Sequence, residues 1–243
     1  MVFAGKVAAW RRLLFPTDKE LKMDCKTGKI EQGLYAISDT TLAGRAGVVA
    51  QVAAALAGGV KMVQYRDKSS DPQRRHHEAA ALLALCRAHQ VPLLINDDIE
   101  LAAAVGADGV HLGRDDPQLT YARTRLGSSA MIGISCYNQL ALAQQAARQG
   151  ADYVAFGAFF PSATKPHAVT APLTLLTEAR RQLHLPLVAI GGIRPDNGGL
   201  LIDAGADLLA VVGAIFDSDQ ITAACRRFAP LFPDLARPGA GEQ

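Results

Sequence analysis

The sequence predicts an α/β protein, a single (β/α)8 TIM barrel. Three observations carry this expectation. Short strand-like runs alternate with alanine- and leucine-rich stretches of helical period, the alternation continues through eight units, and a Gly/Ala/Asp turn recurs where helix passes into strand. Alternation of strand and helix implies a parallel sheet, and eight such units close into a barrel at about 250 residues. At 243 residues and 49% hydrophobic content the chain can fill that core. A doubly wound open sheet is the rival architecture. It would place a Gly-rich nucleotide turn after the first strand, where Ser38-Asp39-Thr40-Thr41 stands instead.

In chain order, residues 1–31 read as an N-terminal extension, partly helical. Val2, Phe3, Val7, Trp10, Leu13 and Leu14 follow helical spacing until Pro16, and charged residues without periodicity follow. The barrel is expected over 32–232. Its strands are predicted at 34–38, 61–66, 93–96, 109–112, 131–135, 153–156, 187–190 and 208–212. Helices are predicted near 45–57, 72–89, 98–104, 117–126, 139–149, 172–183, 196–204 and 218–228. Asp71-Pro72, Asp116-Pro117, Asn138 and Asp196 supply expected caps or first-turn prolines. Gly106-Ala107-Asp108, Gly150-Ala151-Asp152 and Gly205-Ala206-Asp207 each fit a glycine helix C-cap turning into the next strand. Residues 233–243 lack periodicity and are expected to form a flexible tail.

Charge and composition exclude several function classes. The net charge is +2, from 25 basic and 23 acidic residues that are interspersed, so no basic face predicts nucleic-acid binding. Cys25, Cys86, Cys136 and Cys225 lie far apart with no C-x-x-C spacing, which fits reduced thiols in a cytoplasmic enzyme rather than a zinc site or a disulfide framework. No apolar run approaches the roughly 18 residues of a membrane span. Lys6, Arg11 and Arg12 interrupt what would be a signal peptide's apolar region.

Barrel sites lie at the C-terminal ends of the strands, and these ends are where the polar residues gather. The second strand runs into Gln64-Tyr65-Arg66-Asp67-Lys68, the third into Asn96-Asp97-Asp98, the fourth into His111 to Asp116, and the fifth reaches Ser135. The sixth leads to Phe160-Pro161-Ser162-Ala163-Thr164-Lys165, the seventh to Gly191-Gly192, and the eighth to Val212-Gly213. Alternation turns Met62, Gln64 and Arg66 toward the interior and Val63 and Tyr65 away from it. A structural salt-bridge network is the plain alternative for this segment alone. Arg66, Lys68 and Lys165, with Arg114 as a candidate fourth, bring cations to one mouth. Burying them without partners is unfavourable, so an anionic ligand is expected. Glycines at the last two strand ends suit phosphate held by backbone N–H groups. Asp97 and Asp116 suit Mg²⁺ beside phosphates, although Asp98 and Asp115 are adjacent and spacing does not decide within each pair. His111 reads as a structural hydrogen-bonding residue that points away from the interior if Val110 and Leu112 face it.

Six motifs, in order, resemble those of the thiamine-phosphate synthase (thiamine-phosphate pyrophosphorylase) family. They are Gln64-Tyr65-Arg66-Asp67-Lys68, Ile95-Asn96-Asp97-Asp98, Val110-His111-Leu112-Gly113, Gly133-Ile134-Ser135, Phe160 through Lys165, and Ala189-Ile190-Gly191-Gly192-Ile193. The resemblance implies a cytoplasmic transferase of thiamine biosynthesis. It condenses 4-amino-2-methyl-5-hydroxymethylpyrimidine diphosphate with thiazole phosphate, through a pyrimidine carbocation, to give thiamine phosphate and pyrophosphate. The implied partners are these small molecules and Mg²⁺, with a homo-oligomer left open.

On that resemblance the Gln64–Lys68 segment, including Tyr65 and Asp67, binds substrate. Gln64 and Asn96 hold the pyrimidine, and Arg66, Lys68 and Lys165 hold the diphosphate with Mg²⁺ on Asp97 and Asp116. Ser135 hydrogen-bonds near the breaking bond, while Ser162, Ala163, Thr164, Gly192, Val212 and Gly213 bind the thiazole phosphate. Arg66, Lys68, Ser135 and Lys165 carry catalysis. The chain departs from the family pattern at Arg114 (many members have Gln), Tyr137 (His), Gly213 (Ser) and, mildly, Ser162 (Thr). A thiazole tautomerase of the same barrel family typically lacks the full diphosphate-binding set. A non-catalytic phosphate-ligand sensor would have no use for the metal carboxylates.

Overall fold

A computed structural model describes residues 30–41, 47–113, 119–161 and 169–232. The predicted helix over part of 1–31, the tail 233–243, and the residues Arg114, Asp115, Asp116, Ser162, Ala163, Thr164 and Lys165 lie outside or largely outside them.

Eight parallel strands close into a barrel in sequence order. They are β1 (Gly33–Ile37), β2 (Met62–Tyr65), β3 (Leu93–Asn96), β4 (Gly109–Leu112), β5 (Met131–Tyr137), β6 (Tyr153–Gly157), β7 (Leu187–Ile190) and β8 (Leu208–Val211), with β1 pairing β8. The helices among the described residues are α1 (Gly47–Ala57), α2 (Pro72–Ala88), α3 (Ile99–Val105), α4 (Leu119–Leu126), α5 (Leu140–Arg148), α6 (Thr174–Gln182), α7 (Gly198–Asp203), α8 (Gly213–Phe216) and α9 (Ile221–Arg226). The sequence does not predict α8. One turn long and opened by glycine, it leaves no periodic signature.

Two apolar layers hold the barrel. Tyr35, Ile37, Met62, Leu94, Tyr153, Ala155, Val188, Leu208 and Ala210 fill the interior, and Ile30 packs against them. Val63, Tyr65, Ile95, Val110, Leu112 and Ile132 face the helices together with Val52, Leu82, Ala102 and Leu176. Both strand faces are therefore apolar, as a parallel sheet covered on both sides requires.

The recurring Gly-Ala-Asp turns form a repeated clamp at the N-terminal face. The backbone N–H groups of Asp108, Asp152 and Asp207 donate to the carbonyls of Leu93, Ile132 and Leu187. Each carboxylate in turn accepts the N–H of that same residue, at 2.8, 2.7 and 2.7 Å. Gly106, Gly150 and Gly205 supply the positive φ that turns each helix into its clamp. Arg123 and Arg180 add ion pairs to Asp152 and Asp207. Polar residues at this face thus bind the barrel to itself.

Two predicted caps are corrected. The residue preceding α5 is Gln139 rather than Asn138, and the residue preceding α7 is Asn197 rather than Asp196; neither makes a side-chain cap bond. Asp196 bonds Arg194 Nε instead, while Asn197 accepts the Arg194 N–H. Asp71 caps α2 as its position before Pro72 implies, accepting from the Arg74 N–H.

Candidate active site

The polar segment after β2 is built around two carboxylates. Asp39, just past the end of β1, accepts Arg66 NH1 at 3.1 Å, and Ser38 Oγ accepts the Arg66 backbone N–H. Arg66 therefore enters the mouth already paired, which narrows the argument from uncompensated cations. Asp67 does not reach into the cleft with its charge unshared. Its carboxylate accepts from Thr40 Oγ1, the Ser69 N–H, Ser69 Oγ and Arg74 NH2. Burial opposes ionisation of Asp67, but these donors outweigh it and hold its carboxyl well below the usual carboxylate range. Tyr65 faces the helix side, where it donates to Glu78 at 2.7 Å. The geometry of Tyr65 and Asp67 is thus that of a brace shaping the turn before Lys68.

Local geometry distinguishes Asp97 from Asp98. Asp98 caps α3, accepting from the Leu101 N–H at 2.8 Å, and pairs with Arg75 NH2 at 2.7 Å. Asp97 sits at φ +60°, a left-handed conformation that non-glycine residues adopt rarely. Its N–H donates to the carbonyl of His111, and its carboxylate accepts Asn96 Nδ2 at 2.7 Å. No cation among the described residues pairs with it, so its oxygens suit a hard metal ion. Among the described residues, no cluster of three or more His, Cys, Asp or Glu forms a metal cage. The proposed second ligand, Asp116, lies outside them.

An open cleft of about 420 Å³ joins these parts. It is lined by Asp67, Lys68, Arg75, Asn96, Asp97, Asp98, Ile99, Glu100 and Tyr121. No carboxylate among the described residues pairs with Lys68. Arg75, Glu100, Tyr121 and Asp39 are among the residues that the sequence does not single out. Arg75 sits in an otherwise polar helical stretch that reads as solvated, and Asp39 lies in a turn, where an aspartate is ordinary.

Inside the barrel, below this mouth, His111 corrects the sequence expectation. Val110 and Leu112 belong to the helix-side layer, so His111 points inward. Its Nδ1 lies 2.8 Å from Tyr153 Oη and its Nε2 2.8 Å from Ser135 Oγ. Tyr153 Oη meets Tyr35 Oη at 3.0 Å, and Gln64 Nε2 donates to Tyr35 Oη at 2.6 Å. Gly133 makes this possible. A Cβ there would fall 1.9 Å from the Tyr153 ring, so only glycine on β5 lets that ring pass over it to β4. Burial pushes both phenols well above their ordinary pKa, and they stay neutral.

After Ser135 the β5–β6 register shifts, a bulge of the kind found beside active sites. Cys136 is turned into the helix-side core, where burial pushes its thiol up to about 12, so it is inert. At the far side of the mouth, Gly192 adopts φ +62°, and a Cβ there would lie 2.3 Å from the Pro161 carbonyl. The β7 end thereby packs directly under the chain entering 162–168. Val212 and Gly213 stand where β8 passes into α8, with Asp217 beside Gly213.

Comparison with known proteins places these features in context. The family model described as thiamine monophosphate synthase matches residues 34–215. The chain is 53% identical over 207 residues to the thiamine-phosphate synthase of Nitrosococcus oceani, covering 85% of this chain and 95% of that one. It is 53% identical over 201 residues to the thiamine-phosphate synthase of Chromobacterium violaceum, covering 83% and 96%. Among solved structures, a thiamine phosphate pyrophosphorylase from Pyrococcus furiosus superimposes with a TM-score of 0.75 at 30% identity, covering 85% of this chain and 98% of that one.

Proposed function

Because the chain belongs to the thiamine monophosphate synthase family, we propose that the cleft between β2 and β3 is where a pyrimidine diphosphate loses its pyrophosphate. The activity is the family's, thiamine-phosphate synthesis, and the protein is a transferase acting on small molecules. The observation that carries the assignment of this cleft is the convergence of Lys68, Asn96 and Asp97 on one opening, above an interior that presents Gln64.

In the proposed reaction the bond between the pyrimidine methylene carbon and the diphosphate oxygen breaks. Its electron pair leaves with pyrophosphate, and the thiazole nitrogen donates its lone pair to the carbocation left behind. No proton need be removed. Gln64 and Asn96 match a ring that offers both acceptors and donors. Arg66, held in place by Asp39, together with Lys68 and Lys165, stabilises charge growing on the leaving group. Such preorganised stabilisation is the largest lever for a dissociative step.

Asp97 and Asp116 would hold Mg²⁺, which supplies further positive charge to a diphosphate when bound. Ser162, Ala163, Thr164, Gly192, Val212 and Gly213 would take the thiazole phosphate. With Gly213 in place of serine, the chain offers only backbone N–H at that position.

The test is to supply both substrates with Mg²⁺ and measure thiamine phosphate and pyrophosphate, which are expected in equal amounts. Pyrophosphate release without thiamine phosphate, or no product at all, would sink the reading. Lys165→Ala is expected to lower turnover by about two orders of magnitude or more, as loss of a preorganised charge does.

A further inference from the structure

We propose that Tyr35, Tyr153 and His111 form a hydrogen-bond chain of fixed direction that makes Ser135 a hydrogen-bond donor toward the mouth of the barrel, so that Tyr153 and His111 are positioning residues for the transfer step. The proposal rests on the function assigned above and deepens it.

The direction follows from which atoms can donate. The Gln64 amide nitrogen carries only donors, so its 2.6 Å contact delivers a hydrogen to Tyr35 Oη. Tyr35 is 1% exposed. Apart from Tyr153 Oη at 3.0 Å, no acceptor among the described residues lies within reach of its own hydrogen. Tyr35 therefore donates to Tyr153. The Tyr153 hydrogen then goes to His111 Nδ1 at 2.8 Å. A neutral imidazole that accepts at Nδ1 carries its proton on Nε2, which lies 2.8 Å from Ser135 Oγ. Ser135 accepts there, and its own hydrogen is left to point away from the histidine, toward the mouth.

The opposite order would need the Gln64 amide turned over, with Oε1 rather than Nε2 on Tyr35 Oη; with Nε2 there it fails at its far end. If Ser135 donated to His111, Nδ1–H would donate to Tyr153 and Tyr153 to Tyr35. The hydrogen of Tyr35 would then be buried without an acceptor, since Gln64 Nε2 cannot take it, and buried hydroxyls are rarely left so. The two ends of the chain thus have different chemistry. Gln64, at one end, has donated inward, and Ser135, at the other, donates outward to an oxygen of the departing diphosphate. No proton moves along the chain; it holds each one in place.

The architecture is consistent with this role. Tyr153 stacks on the His111 ring, with centroids 5.6 Å apart and planes at 24°, and meets Tyr35 edge-on at 83°. Gly133 clears the path between β6 and β4. The links come from β2, β1, β6, β4 and β5, so the Ser135 hydroxyl is oriented through five strands of the barrel.

The experiment is a double-mutant cycle on the full chain with both substrates and Mg²⁺, alongside ¹⁵N NMR of histidine-labelled protein. Tyr153→Phe keeps the ring and removes the link. It is expected to lower kcat about tenfold, the value of one aligned hydrogen bond, with KM for thiazole phosphate changed less than about twofold. In a Ser135→Ala background the same change should have less than about a twofold further effect. If the two changes multiply instead, Tyr153 does not act through Ser135 and the proposal is overturned. It is likewise overturned if kcat is unchanged in Tyr153→Phe.

The NMR arm reads the direction itself, with the resonance assigned by His111→Gln. His111 is expected as the Nε2–H tautomer, and an Nδ1–H tautomer contradicts the direction. Should Tyr153→Phe not fold, Tyr35→Phe removes the preceding link and is expected to lower kcat in the same sense; an unchanged kcat there overturns the proposal. A wild-type chain that makes no thiamine phosphate removes the functional reading and this proposal together. An active wild type with a multiplicative cycle removes the proposal alone.

Discussion

Arg66 crosses from β2 to the carboxylate of Asp39 beyond β1, with NH1 and Oδ2 3.1 Å apart and both side chains largely buried. A planar guanidinium fixed in this way presents its remaining donors in one direction, which a lysine at that position would not. Asp39→Asn keeps the shape and removes the charge. A hydrogen bond to a charged group contributes about 1.5–3 kcal/mol, so kcat/KM for the pyrimidine diphosphate is expected to fall roughly ten- to a hundredfold. Steady-state kinetics checks this. Tighter pyrophosphate binding in the variant would mean that Asp39 instead holds back the charge of Arg66.

Asp67 predicts an acid-dependent stability. Its folded-state pKa is depressed below the usual value of about 3.9. The stabilisation is therefore fully present above that value and is lost as pH falls toward the folded pKa. Asp67→Ala removes a multiply hydrogen-bonded carboxylate and is expected to destabilise the chain by about 1.5–3 kcal/mol at neutral pH. The gap from the wild type should narrow as the pH falls below about 3.9 toward the folded pKa. Urea unfolding at several pH values measures it, and a gap independent of pH contradicts the role.

The adjacent acids after β3 should separate cleanly. Asp97→Asn is expected to raise the Mg²⁺ concentration needed for half-maximal activity about tenfold or more, within the range seen when metal-site groups are changed, with little loss of stability. Asp98→Ala removes the α3 cap and is expected to cost about 1 kcal/mol of stability. Mg²⁺ titrations and thermal unfolding of both variants test the assignment. If the metal requirement follows Asp98, the two roles are reversed.

Gly192 holds the opposite wall. Gly192→Ala imposes a left-handed conformation that costs a residue with a side chain about 1–2 kcal/mol, and its Cβ meets the Pro161 carbonyl. The KM for thiazole phosphate is expected to rise about tenfold or more, with the KM for the pyrimidine substrate less affected. Equal changes in both would place Gly192 outside the thiazole side.

How much of this was legible in the sequence follows from what each signal encodes. The runs at 93–96, 109–112 and 187–190 are strands with those bounds, because β-branched and aliphatic residues stop abruptly at turn residues. The phase of β4 was not legible. Val110 and Leu112 pack against helices and His111 faces inward, and hydrophobic alternation cannot tell inside from outside when both faces are covered. The Tyr35–Tyr153 contact joins residues 118 positions apart and leaves no local pattern. Gln64, Asn96 and Asp97 could be singled out because polar residues at the end of a buried strand contradict its apolar character. Asp39 could not, because an aspartate in a turn is ordinary.

The central claim is that the diphosphate sits between β2 and β3 and the thiazole phosphate across the mouth. A crystal structure of the chain with thiamine phosphate, pyrophosphate and Mg²⁺ measures this directly. The account predicts pyrophosphate hydrogen-bonded to Lys68, with Mg²⁺ on Asp97, the pyrimidine against Gln64 and Asn96, and the thiazole phosphate at Gly192 and Gly213. Pyrophosphate bound at Gly192 and Gly213, with nothing on Lys68 or Asp97, would contradict it.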